Sequence, residues 1–297
     1  MGLRAFIIKR AIYSFFLVIF VLILNFTIFE LMPGNPIEVF AGSFRLKNEQ
    51  QVQEVLAMYG LDQPLHIRFA KYMVNMLTGY FGISYVSHDY VAKEIAIRLT
   101  NTLILMLTVE ILSITIGIIL GVLAAYKRGG IFDSLAVTSS LVVYSVPSFW
   151  LGMLLLLIFY EKLHWFPNAG AITREFAINP PPPLWQGSVL GAQIYIPSLI
   201  EILDRLWHLF LPALTLVLIT YGGWLLLTRA TMLETLTEDY VVTAKAKGLK
   251  ERTIIFKHAL KNASLPIITS AAMSFGFLLT GAILSEQVFT YPGLGQW

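Results

Sequence analysis

Residues 99–126 read LTNTLILMLTVEILSITIGIILGVLAAY, and Glu110 is the one charged side chain in this run. A helix of this length, at 1.5 Å rise per residue, exceeds the roughly 30 Å thickness of the hydrocarbon layer of a bilayer. The apolar residues also lack the strict alternation of a barrel strand. The run therefore predicts a membrane-spanning α-helix.

Four further runs have no charged residue and are each about 19 residues or longer, enough to span a bilayer. They are residues 11–29, 134–160, 209–228 and 262–285. The composition agrees, because 57% of the 297 residues are apolar and 13% are charged, against roughly 25% charged in a soluble domain. We predict an all-α polytopic membrane protein with five visible spans, and we expect a sixth span beyond Trp297.

Basic residues give the predicted orientation. Arg4, Lys9 and Arg10 precede the first run, and Lys127 and Arg128 follow the second. Positively charged segments stay in the cytoplasm, so we expect a cytoplasmic N-terminus. Residues 229–261, with seven Lys or Arg, then also lie inside, and residues 33–98 and 161–208 lie outside. The first run is longer than a signal-peptide core and no cleavage site follows it, so it is interpreted as a retained anchor.

These spans predict three parts: an N-terminal anchor span (1–32), an outer loop (33–98) and a core (99–297). In the outer loop, Val52, Val55, Leu56 and Tyr59 have helical spacing before Gly60, which predicts a short amphipathic helix. Residues 180–183 are all proline and predict a non-helical connector, either a spacer or a contact for an outside partner.

The segment after the fourth run predicts a compact cytoplasmic projection at about 232–262. Residues 232–247 favour a helix, and Gly248 can adopt the left-handed conformation that ends one. A second helix is expected over 251–262, before Pro266. The projection could dock on a protein or contact anionic lipid through its basic residues, and the residues alone leave both open.

Several kinds of chemistry are absent from the sequence. It has no cysteine and no phosphate-binding loop, His-Glu-x-x-His or Gly-x-Ser-x-Gly motif, and its five histidines stand singly. We therefore expect no hydrolytic site of these kinds and no metal or cofactor bound by this chain itself. The net charge of +3 is a small excess and gives no reason to expect nucleic acid as a partner.

Three acidic residues near or within the spans carry separate expectations. Glu110 is a functional candidate, because a carboxylate inside a membrane is costly unless it is paired. It is expected to pair with a neighbouring helix or to line an aqueous path, and a single carboxylate is poor support for a proton relay. Glu30 and Glu286 are expected near outer helix ends, within reach of water.

The order of several short motifs resembles the permeases of ABC importers, specifically the dipeptide/oligopeptide and nickel branch. Val242-Thr243-Ala244 stands where the superfamily has Glu-Ala-Ala, and Gly248 follows at the expected distance. The other matching fragments occur in the same order as in the branch: residues 33–36, 60–65, 79–84, 145–149, 258–263, 265–266 and 289–295. Asn35 and Tyr80 differ from the branch, which has acidic residues there.

This resemblance implies the type I importer permease fold and a set of partners. A homologous second permease would complete the path, two cytoplasmic ATPase subunits would bind ATP and Mg²⁺, and an extracytoplasmic protein would deliver substrate. The chain would lie in a prokaryotic cell membrane. The implied ATPase-docking residues are Tyr240, Thr243, Ala244, Lys245, Ala246, Lys247, Gly248 and Leu249. The small Ala244 and Ala246 would permit close approach.

For the translocation path the candidates are Glu110, Ser145, Pro147 and Ser148, although each could equally serve helix packing. Pro147 is expected to kink the third span. The implied function is uptake of short peptides by alternating access, and oligosaccharides are the alternative substrate class. A stand-alone secondary transporter or channel is the alternative of another class.

Overall fold

The computed structural model describes residues 2–31, 62–84, 87, 89–189, 192–278 and 282–297. The described elements are α1 (Leu3–Leu31), α2 (Leu65–Thr78), α3 (Val91–Tyr126), α4 (Ile131–Tyr144), α5 (Ser148–Leu155) with a π-helical end (Leu156–Lys162), α6 (Arg174–Ile178), β1 (Trp185–Val189), β2 (Ala192–Ile196), α7 (Leu199–Thr235), α8 (Asp239–Ala246), α9 (Glu251–Thr253) with a π-helical continuation (Ile254–Ala259), α10 (Leu260–Phe277) and α11 (Ile283–Val288).

The chain divides into two compact units, Met1–Ala96 and Ile97–Trp297. In the first unit, Arg68 of α2 forms an ion pair of 2.9 Å with Glu30 of α1. Phe69 packs edge-on against Phe26, with ring centroids 5.1 Å apart. The expected amphipathic helix near Val52 and the 33–36 motif lie outside the described residues. The division into 1–32, 33–98 and 99–297 stays a prediction.

Helices α3 and α7 form the centre of the second unit. Gly117 and Gly121, one helical turn apart on α3, bring its backbone against Trp224, Leu225 and Thr228 of α7. Small residues at this spacing allow helices in membranes to approach closely. The main apolar core lies nearer the start of α7; it contains Leu105, Val109, Leu209, Leu211, Val217, Phe289 and Tyr291.

Three helices, α1, α3 and α7, are long and apolar enough to cross a membrane. Helix α4 and the continuous α5–π-helix form a fourth candidate, bent by 98° at their junction. The expected kink at Pro147 is thereby confirmed. The fifth predicted run is helical over α10 and again over α11. Within the described residues, neither of these two helices is long and apolar enough to cross a membrane.

Helix α7 starts and ends outside the predicted run 209–228. It begins at Leu199, where the Ser198 hydroxyl accepts a hydrogen bond from the Glu201 amide and caps the helix. It ends at Thr235, so the prediction of one helix over 232–247 is wrong: a turn at 236–238 separates α7 from α8. The second helix was predicted to end at residue 262. It continues past this point, and Pro266 lies inside the continuous α9–α10 helix.

Between α5 and α7 the chain contains structure that the sequence reasoning missed. Strands β1 and β2 form an antiparallel hairpin in which Trp185 pairs with Ile196. The four prolines at 180–183 precede it and are non-helical, as expected. This segment is therefore folded around a small sheet rather than being a simple connector.

Candidate functional site

The segment 239–249, the predicted docking site, consists of α8 and the turn that follows it. Asp239 lies in the first turn of α8 and Lys245 in the last, where each charge complements the helix dipole. Gly248 has φ +70°, and the amide of Leu249 donates to the Ala244 carbonyl at 3.3 Å. The left-handed termination predicted at Gly248 is confirmed.

One face of α8 is buried within the chain. Val241 is fully buried and Ala244 is buried, and both pack on Ile254 of the π-helical segment, with Tyr240 partly buried beside them. This corrects the expectation that Ala244 permits close approach of a partner, because its methyl group is already covered. Ala244 and Tyr240 hold the segment in place instead.

The opposite face is open. Val242 is 60% exposed and Leu249 39% exposed, and the remaining candidate residues of the segment are also exposed: Thr243, Lys245, Ala246, Lys247 and Gly248. Two ammonium groups therefore stand beside two exposed apolar side chains. Such a surface can bind a groove that combines acidic and apolar groups.

Residues 251–259, which follow the segment 239–249, contact the long helices. Ile255 and Ala259 of the π-helical segment share a buried cluster with Val122 of α3 and Met232 of α7. The Tyr126 hydroxyl, at the end of α3, donates to Glu251 at 2.8 Å. The π-helical segment on which α8 packs is thus itself in contact with both α3 and α7.

The candidate path residues lie in two places. Glu110 is buried and accepts a hydrogen bond of 2.5 Å from Ser274 of α10, so it pairs with a neighbouring helix. Ser145, Pro147 and Ser148 form the junction between α4 and α5, where the Ser145 hydroxyl donates back to the Leu141 carbonyl. No hydrogen bond among the described residues joins Glu110 to this junction.

A buried carboxylate organises the C-terminal motif. Glu286 is fully buried, which corrects the expectation that water reaches it. Its Oε1 accepts from the Thr102 hydroxyl at 2.8 Å, and its Oε2 accepts from the amides of Gly295 and Gln296 at 2.7 and 3.2 Å. A β-carbon on Gly293 would lie 2.4 Å from this carboxylate, so a larger residue there would have to displace it. The glycines of the motif were a signal for such close packing.

Tyr291, in the same motif, is buried beside Leu209 and Val217. Burial raises the pKa of Tyr291 to about 12, because the apolar surroundings disfavour the phenolate. The amide of Asn101 donates to the Pro292 carbonyl at 2.9 Å. We call residues 289–297 the C-terminal strap. The adjacent side chains of Asn101 and Thr102 bind it to α3.

A second polar cluster, also missed, fixes the segment 173–196 to the start of α7. Asp204 accepts from both the amide and the hydroxyl of Thr173. Glu201 accepts from the Tyr195 hydroxyl, which raises the pKa of Tyr195, and from Arg205. The ionisable residues 201, 204, 205 and 208 recur at helical spacing, and this pattern was the available signal.

Two family models match this chain. Residues 117–297 match the family described as binding-protein-dependent transport system inner membrane component, and residues 3–106 match the N-terminal family of the same systems. The di/tripeptide transport system permease protein DppB of Pseudomonas aeruginosa (strain UCBPP-PA14) is 38% identical over 93% of this chain and 81% of its own length.

Two further relatives have similar descriptions. The dipeptide transport system permease protein DppB of Escherichia coli (strain K12) is 38% identical over 93% of this chain and 80% of its own length. The oligopeptide transport system permease protein AppB of Bacillus subtilis (strain 168) is 33% identical over 99% and 86%. This chain therefore belongs to the family of inner membrane components of binding-protein-dependent transport systems.

Proposed function

We propose that this chain is a permease subunit of an ATP-driven importer and that it conducts short peptides across the membrane by alternating access. Its family membership supports the transport role and a multi-pass position in the inner membrane. The transport component is not an enzyme. The peptide substrate is inferred from the relatives, whose names specify dipeptides, di/tripeptides and oligopeptides.

The segment 239–249 is our proposed contact with a separate ATPase. The observation that carries this proposal is its two-sided construction: Val241 and Ala244 anchor it to the chain, while Val242, Lys245 and Leu249 remain exposed. A surface anchored in this way can pass a movement of a bound partner on to the rest of the chain. The sequence lacks a phosphate-binding loop, so ATP and Mg²⁺ would be bound by the partner subunits and no cofactor by this chain.

We propose that the N-terminus and the segment 239–249 both lie in the cytoplasm, and the number of candidate spans supports this orientation. With the bent pair taken as one span, four crossings by α1, α3, α4–α5 and α7 separate the N-terminus from the segment 239–249. An even number places both on the same side, and their Lys and Arg residues favour the cytoplasm. Two ATPases and a homologous second permease would then complete the importer, with a binding protein on the opposite side.

The translocation path is proposed to form where this chain meets the second permease. Ser145, Pro147 and Ser148 lie at the exposed or half-buried bend between α4 and α5. Glu110 would contribute to the path through its position on α3 and its bond to Ser274.

The variant Gly248→Asp tests the docking proposal. Gly248 has φ +70° with open space around it, so aspartate adds backbone strain and a negative charge to the docking surface without a clash. We expect the variant to insert normally but to lose at least about tenfold in ATP-driven peptide uptake, equivalent to about 1.4 kcal/mol.

Gly79→Asp is the matched control, because Gly79 has φ +78° and equally open surroundings outside the segment 239–249. It adds the same strain and charge and is expected to leave uptake nearly unchanged. Normal uptake by Gly248→Asp, measured in proteoliposomes with the complete complex, would overturn the assignment of the docking site.

A further inference from the structure

A cavity of about 430 Å³ opens beside the π-helical end of α5. Sites for small ligands usually measure about 300–1,000 Å³, so the cavity has room for a small molecule or part of a short peptide. One wall is a stripe of the helix that includes Met153, Leu156, Tyr160 and Glu161, and the facing wall includes Asn168 and Thr290. The lining therefore contains both apolar side chains and polar groups.

The two walls are fixed to each other. The amide of Gly170, next to the facing wall, donates to the carbonyls of Phe289 and Thr290 at 3.3 and 3.2 Å. On the other side, Gly152 of α5 lies so close to Phe289 that a β-carbon there would be 3.1 Å from the ring. The cavity is held open by these contacts and needs no ligand to form.

Two unusual backbone conformations border the cavity. The helix changes from α to π over Leu156–Lys162. Turns of π-helix within α-helices occur frequently at functional sites. Thr290 has φ +45°, in the left-handed region that residues other than glycine rarely occupy. Both unusual conformations occur at residues that line the cavity. This favours a functional explanation over a packing defect.

Glu161 supplies the charge of the site. Its side chain is exposed, and within the part of the chain that the structure describes its carboxylate takes part in no hydrogen bond or ion pair. An unpaired carboxylate at the rim of a partly apolar cavity can bind a primary ammonium group while the stem next to it packs on apolar side chains. A peptide with a free amino terminus and an apolar first side chain presents an ammonium group next to an apolar group.

We propose that this cavity is a peptide-binding subsite on the outer side of the permease, in which Glu161 binds the terminal ammonium group and Met153 and Leu156 contact the first side chain. The subsite rests on the proposed function of the chain as a peptide importer. It lies at the start of the segment 161–208, so a peptide released by the binding protein would meet it before the membrane interior.

Photo-crosslinking in the complete complex tests this subsite. The probe is a tripeptide with a free amino terminus and a benzophenone first side chain, presented on the binding protein to the complex in lipid nanodiscs. We expect a covalent adduct on Met153 or Leu156, identified by mass spectrometry. Glu161→Gln is expected to lower its yield about fivefold, the effect of losing one partly exposed charge pair.

Glu175→Gln is the matched control, since Glu175 is an exposed carboxylate on α6 that does not line the cavity. This variant is expected to retain the full adduct yield. The N-acetylated probe should label wild type and Glu161→Gln equally weakly. An adduct elsewhere, or one whose yield is unchanged in Glu161→Gln, would overturn the subsite.

The ATPase activity of the same nanodiscs separates the two proposals. Peptide-stimulated hydrolysis without an adduct in the cavity would overturn the subsite and leave the peptide importer intact. Hydrolysis that no peptide stimulates would overturn the proposed function, and the subsite with it.

Discussion

The hydroxyl of Thr102 on α3 donates to the fully buried carboxylate of Glu286 at 2.8 Å and accepts from the Leu294 amide at 2.8 Å. One hydroxyl thereby connects two segments separated by more than 180 residues. The remaining donors to Glu286 come from the backbone of Gly295 and Gln296. The C-terminal strap is consequently held against α3 by a carboxylate whose hydrogen-bond partners lie in the protein.

Thr102→Val is expected to destabilise this connection. Valine has the same shape, but it leaves Glu286 without one donor and the Leu294 amide without its acceptor. Hydrogen bonds to charged groups contribute about 1.5–3 kcal/mol, so we expect a loss of about 2 kcal/mol in the free energy of unfolding. Steric trapping in bilayers would measure it.

Thr108→Val provides the comparison on the same helix. The Thr108 hydroxyl donates only to the Ile104 carbonyl one turn earlier, so its removal is expected to change stability by less than about 0.5 kcal/mol. Equal effects of the two variants would show that Thr102 acts through its helix rather than through Glu286.

A second prediction concerns the contact of α3 with α7. A β-carbon on Gly121 would lie 2.6 Å from the Thr228 β-carbon and 2.7 Å from the Leu225 carbonyl oxygen. Because the backbone of α7 cannot yield locally, Gly121→Ala must separate the helices, and overpacking of this kind typically costs about 1–3 kcal/mol.

Gly223→Ala tests whether the effect is steric. Gly223 lies on α7 with open space around its α-carbon, so alanine is expected to be neutral or to stabilise the helix by about 0.5–1 kcal/mol. Thermal unfolding of the two variants in detergent distinguishes them. A Gly121→Ala protein as stable as Gly223→Ala would contradict the close approach of α3 and α7.

Four of the predicted spans, α1, α3, α7 and the bent α4–α5 pair, were predictable because long apolar runs are visible without any tertiary information. The fifth predicted run contains no helix among the described residues that is long and apolar enough to cross a membrane. The bend between α4 and α5 was predicted at Pro147, because a proline disturbs the helix at its own position. Gly248 was also identified correctly, because a left-handed helix end has a local signature. These features depend on a few neighbouring residues.

The features that the sequence concealed depend on distant partners. Glu286 looked accessible because its position near a predicted helix end gave no sign of Thr102 or of the strap that folds over it. Ala244 looked like an outward contact until Ile254 was found to cover it. The π-helical segments and the hairpin have no strong local pattern, so tertiary contacts determine them.

A third prediction concerns the pair formed by Arg229 of α7 and Asp133 of α4. The guanidinium donates from Nε and Nη2 to the two carboxylate oxygens at 2.6 and 2.8 Å, and Asp133 is 4% exposed. Arg229→Ala leaves a buried carboxylate without its counter-charge, which typically costs about 3–5 kcal/mol.

The double variant Asp133→Ala/Arg229→Ala separates pairing from packing. Once the carboxylate is removed, the loss of Arg229 should matter far less, so the double variant is expected to be more stable than Arg229→Ala alone. Unfolding free energies that simply add in the double-mutant cycle would show that the two residues act independently.

A fourth prediction concerns Glu110. Glutamine retains an acceptor for the Ser274 hydroxyl but cannot ionise, so Glu110→Gln preserves the bond between α3 and α10. In an ATP-driven importer we expect peptide uptake within about threefold of wild type, a difference of roughly 0.7 kcal/mol. Abolished uptake with normal ATP hydrolysis would instead show that passage of the substrate requires the ionisable carboxylate of Glu110.

The last prediction compares two adjacent residues in α8. Val242 is 60% exposed, whereas Val241 is fully buried against Ile254. Val242→Asp should leave folding intact, since its carboxylate stays in water, but it places a charge in the apolar part of the docking surface. We expect the ATPase to bind at least about tenfold more weakly, a loss of about 1.4 kcal/mol or more, measured by co-purification in detergent at graded ATPase concentrations.

Val241→Asp instead buries an unpaired carboxylate, so the segment 239–249 should unfold locally and become sensitive to protease. We expect both variants to bind the ATPase more weakly, but only Val242→Asp to resist the protease as wild type does. This difference identifies the outer face of α8 as the contact itself, because a role confined to supporting the fold predicts that the exposed position tolerates aspartate. Undiminished ATPase binding by Val242→Asp would therefore place the contact elsewhere on the chain.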